Sequence, residues 1–208
     1  MSIDNEITHN KIFAVIRDSN PSQIIKICKA LNVGGINLIE ITMESENSFD
    51  VLKSAIDNKN SEEIIGAGTV LDVSTAERVI ALGAQFIVSP IVNIDIINIC
   101  KLKKITCIIG AFTPTEILLA YSNGADYIKI FPATTLGTDY IKTLKGPFPN
   151  IPIIPTGGID KNNVKEYLNA SGIAVGIGSS LVNTKNLIKD EDFEELQSIS
   201  AEFRKLIE

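Results

Sequence analysis

Residues 105–131, ITCIIGAFTPTEILLAYSNGADYIKIF, contain one complete strand–helix–strand pattern. Two runs rich in β-branched and aromatic residues, 105–109 and 126–131, flank Pro114–Ser122, which has helical spacing and begins with a proline that suits a helix start. Gly124 lies between this helix and the second strand, where a left-handed C-terminal cap is expected. The stretch therefore predicts a βα unit followed by the next strand.

The same pattern recurs along nearly the whole chain. Further strand-like runs lie near residues 12–17, 36–42, 64–67, 85–88, 151–155 and 173–177. Segments with helical spacing lie between strands, namely Ser22–Leu31, Ser74–Leu82 and Asn162–Leu168. Glycines in the same capping position as Gly124 are Gly34, Gly83 and Gly172.

Eight βα units in 208 residues predict an α/β fold, a compact TIM (β/α)8 barrel rather than a doubly wound sheet. Ser2–Asn10 is expected to add an extra N-terminal helix, and Asp190–Ile207 is expected to complete the outer ring of helices. The length and a hydrophobic content of 45% suit one sizeable core. Residues 1–208 are therefore expected to form a single barrel domain.

The charge and the chain start exclude several classes of partner. The net charge is −6, and the lysines are scattered apart from the short cluster Lys101, Lys103 and Lys104, so nucleic-acid binding is not expected. The N-terminus lacks the basic start and apolar core of a signal peptide, and no apolar run approaches the roughly 20 residues of a spanning helix. We expect a cytoplasmic protein with no membrane partner.

The cysteines and the single histidine narrow the chemistry. Cys28, Cys100 and Cys107 are odd in number and lack metal-ligand spacing, so they are expected to be buried in a reducing compartment. One histidine, His9, cannot build a three-histidine zinc site or a serine–histidine triad. No metal and no cofactor are expected.

Lys129 is the most informative residue for function. An ammonium group in a strand of Ile, Tyr and Phe must pair with an anion, reach water at the strand end, or react. Strand alternation places Glu40 and Lys129 at inward-facing positions if their neighbours Leu38 and Tyr127 also face inward. Two interpretations follow: a buried ion pair, or a Schiff-base lysine with a glutamate that moves protons.

Other candidate residues lie at the carboxyl ends of the strands, where barrel sites are found. Gly157 and Gly158 after strand seven, with Gly178 and Ser179 after strand eight, are candidates for a phosphate site in which a short helix points its N-terminus at the anion. Tight turns alone would also explain these glycines. Candidate substrate-binding residues are Arg17, Thr69, Pro90, Phe131 and Thr156. Each has a simpler alternative, such as a solvated charge for Arg17, a cap for Thr69 and core packing for Phe131.

Seven motifs, in order, resemble those of the 2-keto-3-deoxy-6-phosphogluconate aldolase family, whose members are also known as 4-hydroxy-2-oxoglutarate aldolases. The motifs are Leu38–Thr42, Gly66–Val70, Phe86–Pro90, Thr113–Glu116, Lys129–Ala133, Lys145–Pro149 and Pro155–Ile159. The resemblance implies a class I aldolase that cleaves a 4-hydroxy-2-keto acid to pyruvate and an aldehyde, and it implies a homotrimer. Lys129 stands at the family's Schiff-base lysine, Glu40 at its acid/base glutamate and Thr69 at a substrate-contacting threonine. The two pairs of phosphate-site residues and Arg17 also match family positions.

Three positions depart from the family pattern. Some members have an arginine two residues after the threonine of strand two, where this chain has Glu44, which would repel an anionic substrate if it faced the site. Ile91 replaces the usual glycine or histidine after Ser-Pro, and Ile109-Gly110 replaces Pro-Gly. Two alternative functions stay open: a phosphosugar isomerase or epimerase that uses Glu40 as a proton shuttle, and a phosphometabolite-binding protein without catalysis.

Overall fold

The computed structural model describes residues 3–208 and shows a TIM barrel, as predicted. Eight parallel strands form one sheet in the order β7-β6-β5-β4-β3-β2-β1-β8. A parallel bridge between Thr156, after β7, and Gly176 of β8 closes the ring. The strands are β1 Ile12–Ile16, β2 Leu38–Thr42, β3 Ile64–Gly68, β4 Phe86–Ser89, β5 Thr106–Ala111, β6 Tyr127–Ile130, β7 Ile153–Pro155 and β8 Val175–Ile177.

Helices alternate with the strands and cover the outside of the ring. They are α1 Ile3–Asn10, α2 Pro21–Val33, α3 Ser48–Asn58, α4 Val73–Ala81, α5 Ile94–Lys103, α6 Pro114–Ser122, α7 Ala133–Leu144, α8 Val164–Ser171 and α9 Asp190–Ile207, with a short 3-10 helix at Thr184–Asn186. The predicted N-terminal helix is present from Ile3, while Ser2 lies outside the described residues. Within residues 3–208, no helix has the length and apolar character needed to cross a membrane.

Two separate cores follow from strand alternation. Side chains that point into the barrel form a cluster closed at the amino-terminal end of the strands by Ile7 of α1. Phe13 and Phe86 meet there edge to face, with ring centroids 5.4 Å apart. Residues that point outward form the larger cluster beneath the helices, which also includes all three cysteines, buried as expected. This apolar cluster fills the amino-terminal part of the barrel interior. The buried side chains of Glu40 and Lys129 lie toward the carboxyl-terminal end instead.

The glycines between helices and strands follow the predicted capping pattern with one exception. Gly83, Gly124 and Gly172 have φ values of 100°, 98° and 77°, as expected for left-handed caps. The exception is Gly34, which does not adopt the predicted left-handed conformation. Its φ is −78°, and the following Gly35 has the positive φ of 84°. A Cβ on Gly34 would overlap the side chain of Ser200, so this glycine instead permits α2 and α9 to approach closely.

Candidate active site

Lys129 of β6 and Glu40 of β2 meet inside the barrel. Each residue is only 3% exposed, and the Lys129 Nζ lies 3.5 Å from Glu40 Oε1. Their strand neighbours Tyr127 and Leu38, two residues earlier, belong to the inner core. The alternation argument is therefore confirmed: the amine and the carboxylate point inward and face each other at the mouth, the end of the barrel where the strands finish.

Glycines on β3 and β5 permit close contacts between strands, and one of these contacts involves Glu40. A Cβ on Gly68 would overlap the carboxylate of Glu40, and a Cβ on Gly66 would lie 2.5 Å from the ring of Phe86. On β5, a Cβ on Gly110 would overlap the backbone of Pro90. The sequence alone does not reveal the steric role of Gly68. The overlap between a Cβ at position 68 and Glu40 depends on the position of another strand.

A cavity of about 630 Å³ opens at the mouth beside the buried pair. Its lining residues are Val15, Arg17, Phe131, Thr156, Gly157, Gly158, Ile159, Asp160, Gly178, Ser179 and Ser180. The structure thus brings seven of the predicted site residues to one cavity of the size usual for small-molecule sites. Lys129 is not itself among the lining residues, but its Nζ lies 5.3 Å from the ring centroid of Phe131, which forms part of the wall.

The loops after β7 and β8 line the side of the cavity where an anion was predicted. Gly157 and Gly158 both have positive φ values, 98° and 77°, which a residue with a side chain adopts only with strain. A Cβ on Gly158 would also overlap Thr134 of α7. The two loops are joined by a hydrogen bond from Ser180 Oγ to the carbonyl of Ile159. Ser180 and Asp160 line the cavity although the sequence did not single them out.

The loop directly after β8 forms a single turn, and the short 3-10 helix that follows at Thr184–Asn186 does not line the cavity. The amides of Leu181 and Val182 donate to the carbonyl of Gly178 at 2.9 and 3.0 Å, and the turn then ends. The next segment contacts α2, where Gln23 Nε2 donates to the carbonyls of Thr184 and Leu187. An anion at these loops would therefore depend on backbone amides of turns rather than on a helix terminus.

Arg17 is paired with Glu44 at the rim of the mouth. Its Nη1 lies 2.5 Å from Glu44 Oε1, and Thr42 Oγ1 donates to the same carboxylate oxygen at 3.0 Å. Burial tends to raise the pKa of Glu44, but hydrogen bonds from Arg17, Thr69 and Thr42 and the charge of Arg17 together lower that pKa below its usual value. Arg17 is therefore a charge that is 47% exposed to solvent and also has an anionic partner. The sequence could not reveal the pair, because the two residues are 27 positions apart.

Two predicted substrate-binding residues lie outside the residues that line the cavity. Thr69 has a left-handed backbone, with φ of 54°. Pro90 packs its backbone against Gly110. Thr113, the first residue of the Thr113–Glu116 motif, caps α6 in a reciprocal box with Glu116. Within residues 3–208, no group of three or more His, Cys, Asp or Glu side chains is arranged to hold a metal ion.

The barrel and the family model that matches this chain define the class of protein as an aldolase, a lyase. The family model for KDPG and KHG aldolases matches residues 3–199. The chain belongs to this family, as its motifs implied.

Individual relatives agree with this assignment. The 2-dehydro-3-deoxy-phosphogluconate aldolase of Haemophilus influenzae is 34% identical over 190 residues, which cover 89% of this chain and 87% of the relative. The KDPG aldolase of Legionella pneumophila, solved with pyruvate captured as a covalent carbinolamine intermediate, has a TM-score of 0.88 and 27% identity over 97% of both chains. A porous protein cage designed by fusing symmetric oligomeric domains has a TM-score of 0.87 and 27% identity, covering 94% of this chain and 71% of the cage chain.

Proposed function

We propose that Lys129 forms a Schiff base with the C2 keto group of a 4-hydroxy-2-keto acid while Glu40 moves the protons. The observation that supports this most directly is the burial of both side chains with 3.5 Å between Nζ and Oε1. A carboxylate at that distance can reach an oxygen on the carbon that the amine attacks, directly or through one water. A simple buried ion pair would not need the adjoining cavity or the absence of a side chain at Gly68, which leaves room for the Glu40 carboxylate.

The reaction follows from these two groups. The uncharged amine of Lys129 attacks C2, and the carbinolamine loses its hydroxyl as water with a proton from Glu40, which leaves an iminium ion. The Glu40 carboxylate, directly or through a water, then accepts the proton of the C4 hydroxyl. The C3–C4 bond breaks, the aldehyde leaves, and the electron pair remains on C3 as an enamine. Protonation at C3 and hydrolysis by water release pyruvate and restore Lys129.

The substrate class proposed here includes 2-keto-3-deoxy-6-phosphogluconate and 4-hydroxy-2-oxoglutarate. The residues that would bind it are Arg17, Thr69, Pro90, Phe131 and Thr156. The far end of the substrate would lie at the loops of Gly157, Gly158, Gly178 and Ser179, whose backbone amides suit an anion. This placement is supported by the cavity, which joins these two loops to Phe131 beside the lysine.

The protein is proposed to act in the cytoplasm as a homotrimer. Support for an assembly comes from apolar side chains exposed on and near α6, on the side of β4 and β5: Ile91, Phe112, Leu118, Leu119 and Tyr121. The similarity to a cage component described as a symmetric oligomeric domain also supports an oligomer. Sedimentation should give three times the chain mass of 22.5 kDa. A single-chain mass at micromolar concentration would reject the trimer.

Borohydride reduction in the presence of pyruvate tests the chemistry. We expect covalent label at Lys129 by peptide mass spectrometry, no label in Lys129→Met, and full label in Lys142→Met, which removes an exposed lysine from α7. Absence of label at Lys129 would reject the proposal in favour of a phosphosugar isomerase or epimerase, whose mechanism needs no covalent adduct. Label without pyruvate release from any 4-hydroxy-2-keto acid would indicate a binding protein without turnover.

A further inference from the structure

Glu44 forms an ion pair with Arg17, the cation that lines the cavity, and so offsets its positive charge. Its Oε1 accepts hydrogen bonds from Arg17 Nη1 at 2.5 Å and from Thr42 Oγ1 at 3.0 Å. Thr42 is buried, so the carboxylate is held from the barrel side while the guanidinium approaches from the rim. These contacts hold the carboxylate in place and keep it ionised at neutral pH.

Asp160 places a second carboxylate at the same cavity. It follows the Gly157–Gly158 turn, and its Oδ1 accepts from the amide of Asn162 at 2.8 Å. Among the residues that line the cavity, Arg17 is the one cation and Asp160 the one anion. Lys129 and Glu40 balance each other below the cavity. Once Glu44 is counted with Arg17, the rim has a formal surplus of one negative charge.

This surplus opposes a phosphate monoester and tolerates a hydroxyl group. A phosphate monoester has a charge of about −1.5 to −2 near neutral pH, so it meets Asp160 without a free guanidinium to offset the repulsion. Hydroxyl groups, in contrast, donate hydrogen bonds to carboxylates. The turn after β8 adds amide donors but no helix terminus.

We propose that Glu44 is a specificity-determining residue that lowers the preference of the site for a phosphorylated far end, so that 4-hydroxy-2-keto acids with a hydroxylated far end are accepted as well. The proposal rests on the aldolase chemistry proposed above. It assigns Glu44 an electrostatic effect on selection, with Arg17 held in the pair rather than free to bind phosphate. The wild-type protein is therefore expected to show no preference for the phosphorylated member of a substrate pair that differs only in that group.

The test compares 2-keto-3-deoxy-6-phosphogluconate with the same sugar acid lacking phosphate, by pyruvate release. The measured quantity is the ratio of the two kcat/KM values, phosphorylated over unphosphorylated. Glu44→Gln keeps the side-chain size and an oxygen acceptor for Arg17 but removes the charge, and it should raise the ratio roughly tenfold at low salt. Asp160→Asn should raise it in the same direction. Glu77→Gln, an exposed position on α4, makes the same change in net charge and should leave the ratio unchanged.

The measured ratios and the trapping of pyruvate distinguish a failure of this proposal from a failure of the aldolase chemistry. A ratio that is unchanged or lower in Glu44→Gln would overturn the proposal; a lower ratio would mean that Glu44 positions Arg17 to hold phosphate. A wild-type enzyme that strongly prefers the phosphorylated acid would also overturn it. Pyruvate trapping at Lys129 in every variant shows that the site is intact, and if Glu44→Gln cannot trap pyruvate, the ratio in Asp160→Asn decides. Loss of trapping in the wild type would instead reject the aldolase chemistry.

Discussion

Gly68 and Glu40 share one space at the mouth of the barrel. The glycine ends β3 and the glutamate lies on β2, and a Cβ on Gly68 would overlap Oε1 of the carboxylate. Any side chain at position 68 must therefore displace the group that faces Lys129. The position of Glu40 depends on this absent side chain as much as on its own strand.

Gly68→Ala should reduce kcat/KM by roughly 10²-fold, because a displacement of about 1 Å in a catalytic group can have an effect of that size. The measurement is pyruvate release at saturating and limiting substrate. Gly146→Ala is the matched control. This glycine is exposed and has no positive φ, and a Cβ there would have one near neighbour, the carbonyl oxygen of Thr143 at 3.4 Å. Equal activity in the two variants would show that Glu40 does not need its present position.

Glu40→Gln should lower kcat by about 10²–10⁴-fold, the usual contribution of a positioned general acid or base. The amide retains the size of the side chain but cannot exchange protons. Glu63→Gln serves as a control because Glu63 is also buried, yet it precedes β3 at the opposite end of the barrel and accepts the amide of Asn60. A kcat that falls equally in both variants would point to a general loss of structure instead.

Gly34→Ala should destabilise the fold by about 1–3 kcal/mol, the usual effect of adding a methyl group to a packed contact. The new Cβ would overlap the Cβ of Ser200 and lie 2.8 Å from the carbonyl oxygen of Gln197 on α9. Urea unfolding of the single variants and of Gly34→Ala/Ser200→Gly gives the coupling. The double variant should lose less stability than the sum of the two single losses. Simple additivity would show that α2 and α9 can separate freely.

Glu116→Gln should lower the free energy of unfolding by about 0.5–1 kcal/mol at pH 7, because a charged acceptor binds amides more strongly than a neutral one. The amides of Phe112 and Thr113 donate to Glu116 Oε2 at 2.9 and 2.8 Å, and these bonds lower the pKa of the carboxyl group in the folded state.

A lowered pKa stabilises the fold above the unfolded value of about 4.3, and that contribution disappears as pH falls through the folded value. The stability difference between wild type and Glu116→Gln should therefore shrink in urea titrations below about pH 4. The exposed Glu77→Gln is the control. A difference that persists in acid would contradict the role of the charge.

Local sequence signals predicted much of the barrel well. The helices Pro114–Ser122 and Asp190–Ile207 begin and end where the spacing placed them, since capping and periodicity are properties of neighbouring residues. Predictions failed where a distant partner decides the geometry. Gly34 caps α2 without a positive φ and lies against Ser200 of α9, and the segment after β8 contacts Gln23 of α2.

The sequence by itself determined the eightfold βα repeat, the alternation that puts Glu40 on the same strand face as Leu38 and Lys129 on the same face as Tyr127, and the family to which the chain belongs, because each depends on residue order along the chain. Only the tertiary structure decided that Glu44 neutralises Arg17 and that Gly68 makes room for Glu40. Those relationships depend on the register and curvature of separate strands. A barrel brings such strands together at distances that no local pattern encodes.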